Sequence, residues 1–442
     1  MWTELLIASH IKPWSVCDEK TERTNPCNGL CLNSLHDKAF DKGLITLDSG
    51  LKLVISKEMK NVQMDEMTRD GEQQATIYYD RRRCEINKEV LRMNFLDIPE
   101  GTDVIEVRKQ INQMLSEARK SAKPTKCILC GNTQTSFCNS HSVPQLALRP
   151  IADNGMVLHA SAAMGFDEEI MDIENGVNKS GTFNYICRSC DGTFFQDYEN
   201  EANLIKNPTD KMLAEIAVKD MLLLMSKRAT EKELAKIQQK KFSCFDNVED
   251  LIGLKELDAN EFEEEMLFHK GIADRNEIGG YQVLFWKVLP YVIPIAAQSA
   301  IALPSDMEGK KVNDVYDYNP NIRMQYMHLC FFPLKNQSVV LAFYHKRDKL
   351  YRSLRHQINS SSEDKVLKYL NYLLFAHTEN YFISKSVKQE IENSDALQKL
   401  SQENNGLPTM GYLNCDNDFG VGYTPVSMDE IPDFLDSKWA VV

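Results

Sequence analysis

Two cysteine pairs with the same internal spacing limit what the middle of this 442-residue chain can become: Cys127-Ile128-Leu129-Cys130 and Cys187-Arg188-Ser189-Cys190. Each pair fits one tight turn, and four thiolates close a tetrahedron around zinc. Gly131, directly after the first pair, suits the turn that such a knuckle makes. The intervening segment, residues 131–186, carries strand-like content of its own. The bland alternative is two unrelated thiol pairs buried in a core.

The rest of the composition fits a reducing compartment. There are 12 cysteines and no leader with a charged start, an apolar stretch and a cleavage site, so a secreted disulfide protein is not expected. With 43% hydrophobic and 26% charged residues the composition is globular, and the net charge of -13 argues against non-specific nucleic-acid binding over the whole surface, though not against a local basic groove. The most apolar long stretch, Tyr281 to Leu303, contains Lys287, Pro290, Pro294 and Gln298. It reads as two buried strands with a bend, not as a membrane span. A cytoplasmic protein with no membrane partner is expected.

Along the chain, residues 1–60 form one unit: a strand at Leu5–Ile11, a helix-like segment at Ser34–Asp41 closed by Gly43, and a hairpin around Asp48-Ser49-Gly50. Residues 61–126 read as a charged helical linker, with a helix at Asp103–Lys120 whose apolar residues keep helical spacing. Residues 127–200 hold the cysteine pairs. In residues 201–442, Thr209 is placed to cap a helix running to about Lys240. Strands are expected at Gln282–Leu289, Val292–Leu303, Met324–Phe332 and Ser338–His345, and helices at Lys365–Ala376 and Ser384–Leu400.

The opening stretch Ala8-Ser9-His10-Ile11-Lys12-Pro13-Trp14 ends an apolar run on a histidine. Phosphodiester hydrolysis needs a base for water, a cation for the developing charge and a group that holds them in register. A strand-ending His10, an Asn28 that opens the next apolar segment, and a His36 on the helix-like segment could supply these. Together with Asn28-Gly29-Leu30 and His36-Asp37-Lys38-Ala39-Phe40-Asp41-Lys42-Gly43, this stretch resembles the HNH endonuclease family, in its restriction-type subgroup. The resemblance covers residues 1–56. It implies a ββα-metal fold, with His10 as general base, Asn28 as orienting residue and His36 as metal ligand; Asp37 and Asp41 fall on motif positions and join the expected metal ligands. Ser9 departs from the acidic residue or histidine that many members carry before the base. Met1 lies four residues before the strand, which implies a truncated unit. Two bland readings stand beside this one: a buried, satisfied His10 with a surface His36, and a zinc knuckle of Cys17, Cys27, Cys31 and His36.

The middle segment resembles the zinc-stapled kind of HNH protein. Asn139-Ser140-His141-Ser142-Val143-Pro144 lies between the pairs, and the resemblance puts His141 at the base position. After the second pair stands Asp191 where the family has histidine; a carboxylate can still hold magnesium. Asp197 and Glu199 are further candidates, and Asn184 lies closer to Cys187 than the family asparagine does.

The expected fold class is therefore α+β: a ββα-metal unit, a zinc-stapled treble-clef or HNH-like module, and a mixed α+β C-terminal domain with an antiparallel sheet. The implied activity is hydrolysis of nucleic acid, DNA first, in restriction or phage defence. Its implied cofactors are structural Zn2+ on Cys127, Cys130, Cys187 and Cys190 and catalytic Mg2+ or Mn2+. Arg81, Arg82, Arg83, Lys123 and Lys126 are placed to neutralise phosphates; the bland reading is a solvated face. A partner chain or a homodimer would supply what a truncated unit lacks. Glu263-Glu264-Glu265 reads as a solvated helix face, and His328, His345, His356 and His377 read as structural. The alternative function is a non-catalytic zinc-stapled module, derived from an HNH nuclease, that binds nucleic acid or protein.

Overall fold

The computed structural model describes residues 6–10, 29–33, 45–47, 53–55, 104–159, 173–241, 248–314, 319, 321–397, 400 and 426–441. The chain divides into two compact units, Met1–Val107 with Met410–Pro425, and Arg108–Thr409 with Val426–Val442.

In the first unit, β1 (Leu6–His10) pairs antiparallel with β2 (Gly29–Asn33), and β3 (Ile45–Leu47) with β4 (Leu53–Ile55). Both the opening strand and the hairpin near Asp48 are therefore present. The expected helix over Ser34–Asp41 lies outside the described residues.

Helix α1 (Val104–Ser121) follows, then β5 (Ser140–His141), α2 (Gln145–Leu148), β6 (Met156–His159), β7 (Ile173–Gly176), β8 (Thr182–Phe183), α3 (Arg188–Phe194) and α4 (Glu201–Leu204). Two long helices come next, α5 (Asp210–Lys241) and α6 (Val248–Arg275). The remainder is β9 (Tyr281–Leu289), β10 (Ile295–Ile301), β11 (Met327–Pro333), β12 (Ser338–His345), α7 (Arg352–Ser360), α8 (Glu363–His377), β13 (Tyr381–Ile383) and α9 (Lys388–Glu392). None of the described helices is long and apolar enough to cross a membrane, and the apolar stretch from Tyr281 is the strand pair β9 and β10.

The larger unit is mixed α+β and built on one seven-stranded sheet, ordered β7-β6-β13-β10-β11-β12-β9, with every pairing antiparallel. Alternate residues of β11 and β12 serve opposite faces. Leu329, Phe331, Val340, Ala342 and Tyr344 join one core with Leu354 and Ile358 of α7 and Leu370, Leu373 and Leu374 of α8. Cys330, Phe332, Val339, Leu341 and Phe343 join a second core with Met212 and Ile216 of α5 and Met266 of α6. Helices thus cover both faces. That explains why these strands read as unbroken apolar runs instead of alternating. The short strands β6 and β7, from the cysteine-bearing segment, extend the same sheet.

Thr209 does cap α5: the Met212 amide donates to its hydroxyl at 3.3 Å. Helices α5 and α6 run antiparallel, held by Arg228–Asp258 at 2.7 Å and Lys255–Glu231 at 2.8 Å. The acidic run of α6 departs from the expected solvated face. Glu263 and Glu264 face solvent, but Glu265 is buried. Its carboxylate accepts from Arg323 at 3.1 Å and from Arg347, and His269 lies 3.7 Å away. Two arginines contributed from distant loops turn one member of the run inward. His328 and Asp220 are both buried, with His328 Nδ1 2.7 Å from the Asp220 carboxylate.

Candidate metal centre and its neighbours

The first cysteine pair sits on a turn closed by hydrogen bonds from the Gly131 amide to the Cys127 carbonyl at 2.8 Å and from the Cys127 amide to the Asn132 carbonyl at 2.9 Å. Gly131 adopts φ +72°, in the left-handed region where glycine meets no side-chain clash. The second pair opens α3. Cys187 is its N-cap, and its sulfur accepts from the Cys190 amide at 3.5 Å. The Cys187 amide donates to Cys127 Sγ at 3.3 Å, tying the turn to the helix.

The four Sγ atoms of Cys127, Cys130, Cys187 and Cys190 all lie within 4.8 Å of one another. Sulfurs about 2.3 Å from a tetrahedral zinc stand roughly 3.8 Å apart, so the set fits that ion. Among the described residues this is the one group of histidine, cysteine or acidic side chains gathered closely enough to hold a metal. Burial alone would raise the Cys127 thiol, but the amides of Cys187 and Cys130 outweigh it and bring the thiol down to about 7. Burial and the adjoining sulfurs push the Cys190 thiol up. Anionic sulfur is thus favoured at one corner, which is what a metal ligand must offer.

His141 lies on β5, opposite Thr182 of β8. Its Nε2 is 3.0 Å from the Val177 carbonyl, to which it donates only in the Nε2-protonated tautomer. The Gln145 amide nitrogen stands 3.2 Å from the same Nε2. Burial holds this imidazole below the usual histidine range, and the Lys219 charge pushes the same way. Asn184 ties down the approach to β5, donating to the Cys138 carbonyl at 2.8 Å and to Asn139 Oδ1 at 2.9 Å.

Asp191, one residue beyond the second pair, accepts from Ser140 Oγ at 2.6 Å and from Lys219 Nζ at 3.1 Å, both on Oδ1. Lys219 also pairs with Glu199 at 3.2 Å, donates to Ser140 Oγ at 3.0 Å and lies 3.6 Å over the Phe195 ring. Its side chain is 1% exposed, whereas Asp191 and Glu199 reach the surface. Of the two further acidic candidates, Glu199 joins this group, while Asp197 pairs with Lys211 at 3.1 Å. Sequence reasoning missed Lys219. The available signal was a Lys-Asp pair inside the apolar run Ile216-Ala217-Val218 … Met221-Leu222 of α5.

Lys123 and Lys126 are exposed on the approach to the first cysteine. In the first unit, the β1–β2 register sets His10 opposite Gly29, the residue after Asn28. Asn28, His36, Asp37, Asp41, Arg81, Arg82 and Arg83 lie outside the described residues. The knuckle alternative on Cys17, Cys27, Cys31 and His36 rests on residues of which only Cys31 is described, as part of β2.

Comparison with known proteins gives no match among curated proteins and none among solved structures. A protein-family model does match at the N-terminus. Residues 1–48, which include the β1–β2 pair, match the family described as HNH endonuclease.

Proposed function

We propose that the protein is a metal-dependent HNH-type endonuclease that hydrolyses phosphodiester bonds, with DNA as the substrate. The observation that carries this reading is the family match over residues 1–48, which spans the whole His10–Asn28–His36 pattern. The β1–β2 register supports it, because it brings His10 across from the residue that follows Asn28. In this reading His10 takes a proton from the attacking water and Asn28 orients the base. His36, with Asp37 or Asp41, holds Mg2+ or Mn2+. The bound cation would supply charge stabilisation at the phosphate and the leaving oxygen. Arg81, Arg82, Arg83, Lys123 and Lys126 neutralise backbone phosphates along the approach. Cys127, Cys130, Cys187 and Cys190 hold a structural zinc. A role in restriction or phage defence is what the same resemblance implies.

The test is plasmid cleavage with Mg2+ or Mn2+. Substitution His10→Ala is expected to reduce the rate at least 100-fold, roughly the lower end of what a positioned acid–base group contributes, without changing zinc content. Absence of cleavage by wild type in both metals overturns the hydrolase reading. A second reading, a zinc-stapled binding module, is favoured by the well-formed four-cysteine cluster. It predicts DNA retention on a gel with no product.

A further inference from the structure

We infer that the Lys219 ammonium takes the place of a divalent cation beside His141, so that the middle module carries zinc but no hydrolytic metal. The resemblance to zinc-stapled HNH proteins makes Asp191 the metal-holding residue there. The residues present do not fit that role. Oδ1 of Asp191 already accepts twice, from Ser140 Oγ at 2.6 Å and Lys219 Nζ at 3.1 Å. The second carboxylate of the group, Glu199, meets the same ammonium at 3.2 Å.

A cation brought to these two carboxylates would have to displace the ammonium or sit against it as a like charge. Displacement is opposed by packing. Lys219 is 1% exposed, lies 3.6 Å over the Phe195 ring, and its α5 neighbours Val218 and Met221 are fully buried. A lysine on the surface could swing freely into solvent, whereas this one is held by its surroundings in contact with both carboxylates. The geometry therefore keeps the orientation of His141, through Val177, while removing the partner a metal-dependent base would need. One corollary rests on the proposed function: hydrolysis belongs to the His10 unit alone.

The experiment uses the full zinc-loaded chain and counts bound Mn2+ by electron paramagnetic resonance during equilibrium dialysis. Asp191→Asn and Glu199→Gln, both close in shape to the native side chains, are expected to leave Mn2+ stoichiometry unchanged and affinity within twofold. Loss of one Mn2+ equivalent in either variant overturns the inference. The converse variant, Lys219→Gln, is expected to gain one Mn2+ equivalent, which Asp191→Asn then removes again; zinc content and circular dichroism check its folding. If Lys219→Gln does not fold, the two carboxylate variants decide the matter alone. His36→Ala separates this inference from the proposed function. Loss of Mn2+ there, with none lost on Asp191→Asn, supports both. A wild type that binds no Mn2+ at all removes the His10 centre, yet supports the assignment of Lys219.

Discussion

Glu215 of α5 shows how one side chain can tune stability with pH. Its Oε2 accepts from the Asp197 and Tyr198 amides at 3.0 and 3.2 Å, and the side chain is 1% exposed. Burial pushes the carboxyl up to about 7, against those two amides. A folded-state value above the unfolded one means that the native state holds the proton more tightly. The associated stability is therefore complete below about pH 4.5 and drains away as pH rises through 7. Glu215→Gln, which cannot ionise, is expected to match wild type near pH 4.5 and to exceed it by roughly 3 kcal/mol at pH 8, since each pH unit separating the folded and unfolded values is worth about 1.4 kcal/mol. Urea midpoints at the two pH values check this. A gain of equal size at both would show that the charge is not responsible. Legibility at this scale depends on whether partners are close in sequence. The four cysteines are readable because Cys-x-x-Cys spacing itself encodes a ligand geometry. Lys219 is not, because its partners Ser140 and Asp191 stand 79 and 28 residues away.

Among the elements, α6 illustrates what local pattern cannot reveal. Its sequence mixes acidic and apolar residues, and the run Glu263-Glu264-Glu265 reads as a wholly solvated helix face. The structure buries Glu265 because Arg323, before β11, and Arg347, after β12, converge on it. Arg347 also stacks on Phe268 at 3.3 Å from the ring centroid. Burial keeps the neighbouring His269 imidazole neutral down to about 3, with its Nδ1 2.6 Å from the Tyr281 hydroxyl. Removing the anion leaves only Asp348, paired with Arg323 and 3.9 Å from Arg347, to offset the two guanidinium charges. Glu265→Ala is therefore expected to lose about 3 kcal/mol, the lower end for breaking a buried pair because both arginines are partly exposed. Glu265→Gln should lose about half as much. Denaturant unfolding followed by circular dichroism measures both; equal and negligible losses would mean that the α6 anchor lies elsewhere. By contrast all four strands β9 to β12 are legible, β9 and β12 to within one residue, while the expected Val292–Leu303 and Met324–Phe332 begin three residues before β10 and β11 do. Strands apolar on both sides, punctuated by Pro290, Pro294 and the Pro333–Gln337 turn, leave little else for the chain to do.

For the whole molecule, the relevant fact is where the cysteine-bearing segment ends up. The cysteine pairs set residues 127–200 apart from 201–442 in the sequence, and nothing in the two short strands β6 and β7 announces a partner. Yet Phe382 and Ile383 of β13 pair with His159 and Leu158 of β6. A metal held by the four cysteines should accordingly be felt across the large unit. Cys187→Ser is expected to abolish the zinc proposed at the four cysteines, measured by metal analysis, and to lower the thermal midpoint, with chelator reproducing the effect in wild type. A variant that keeps its midpoint after losing the ion would show that the helices alone hold the staple's geometry. The same pairing has a consequence for how such a chain can be rearranged. Although its cysteine pattern looks portable, the segment is no cassette. Cutting it out would take two rungs from a ladder and leave β13 with a raw hydrogen-bonding rim, inviting strands from other molecules. Transplanted elsewhere, it would carry that same unpaired rim to its new host.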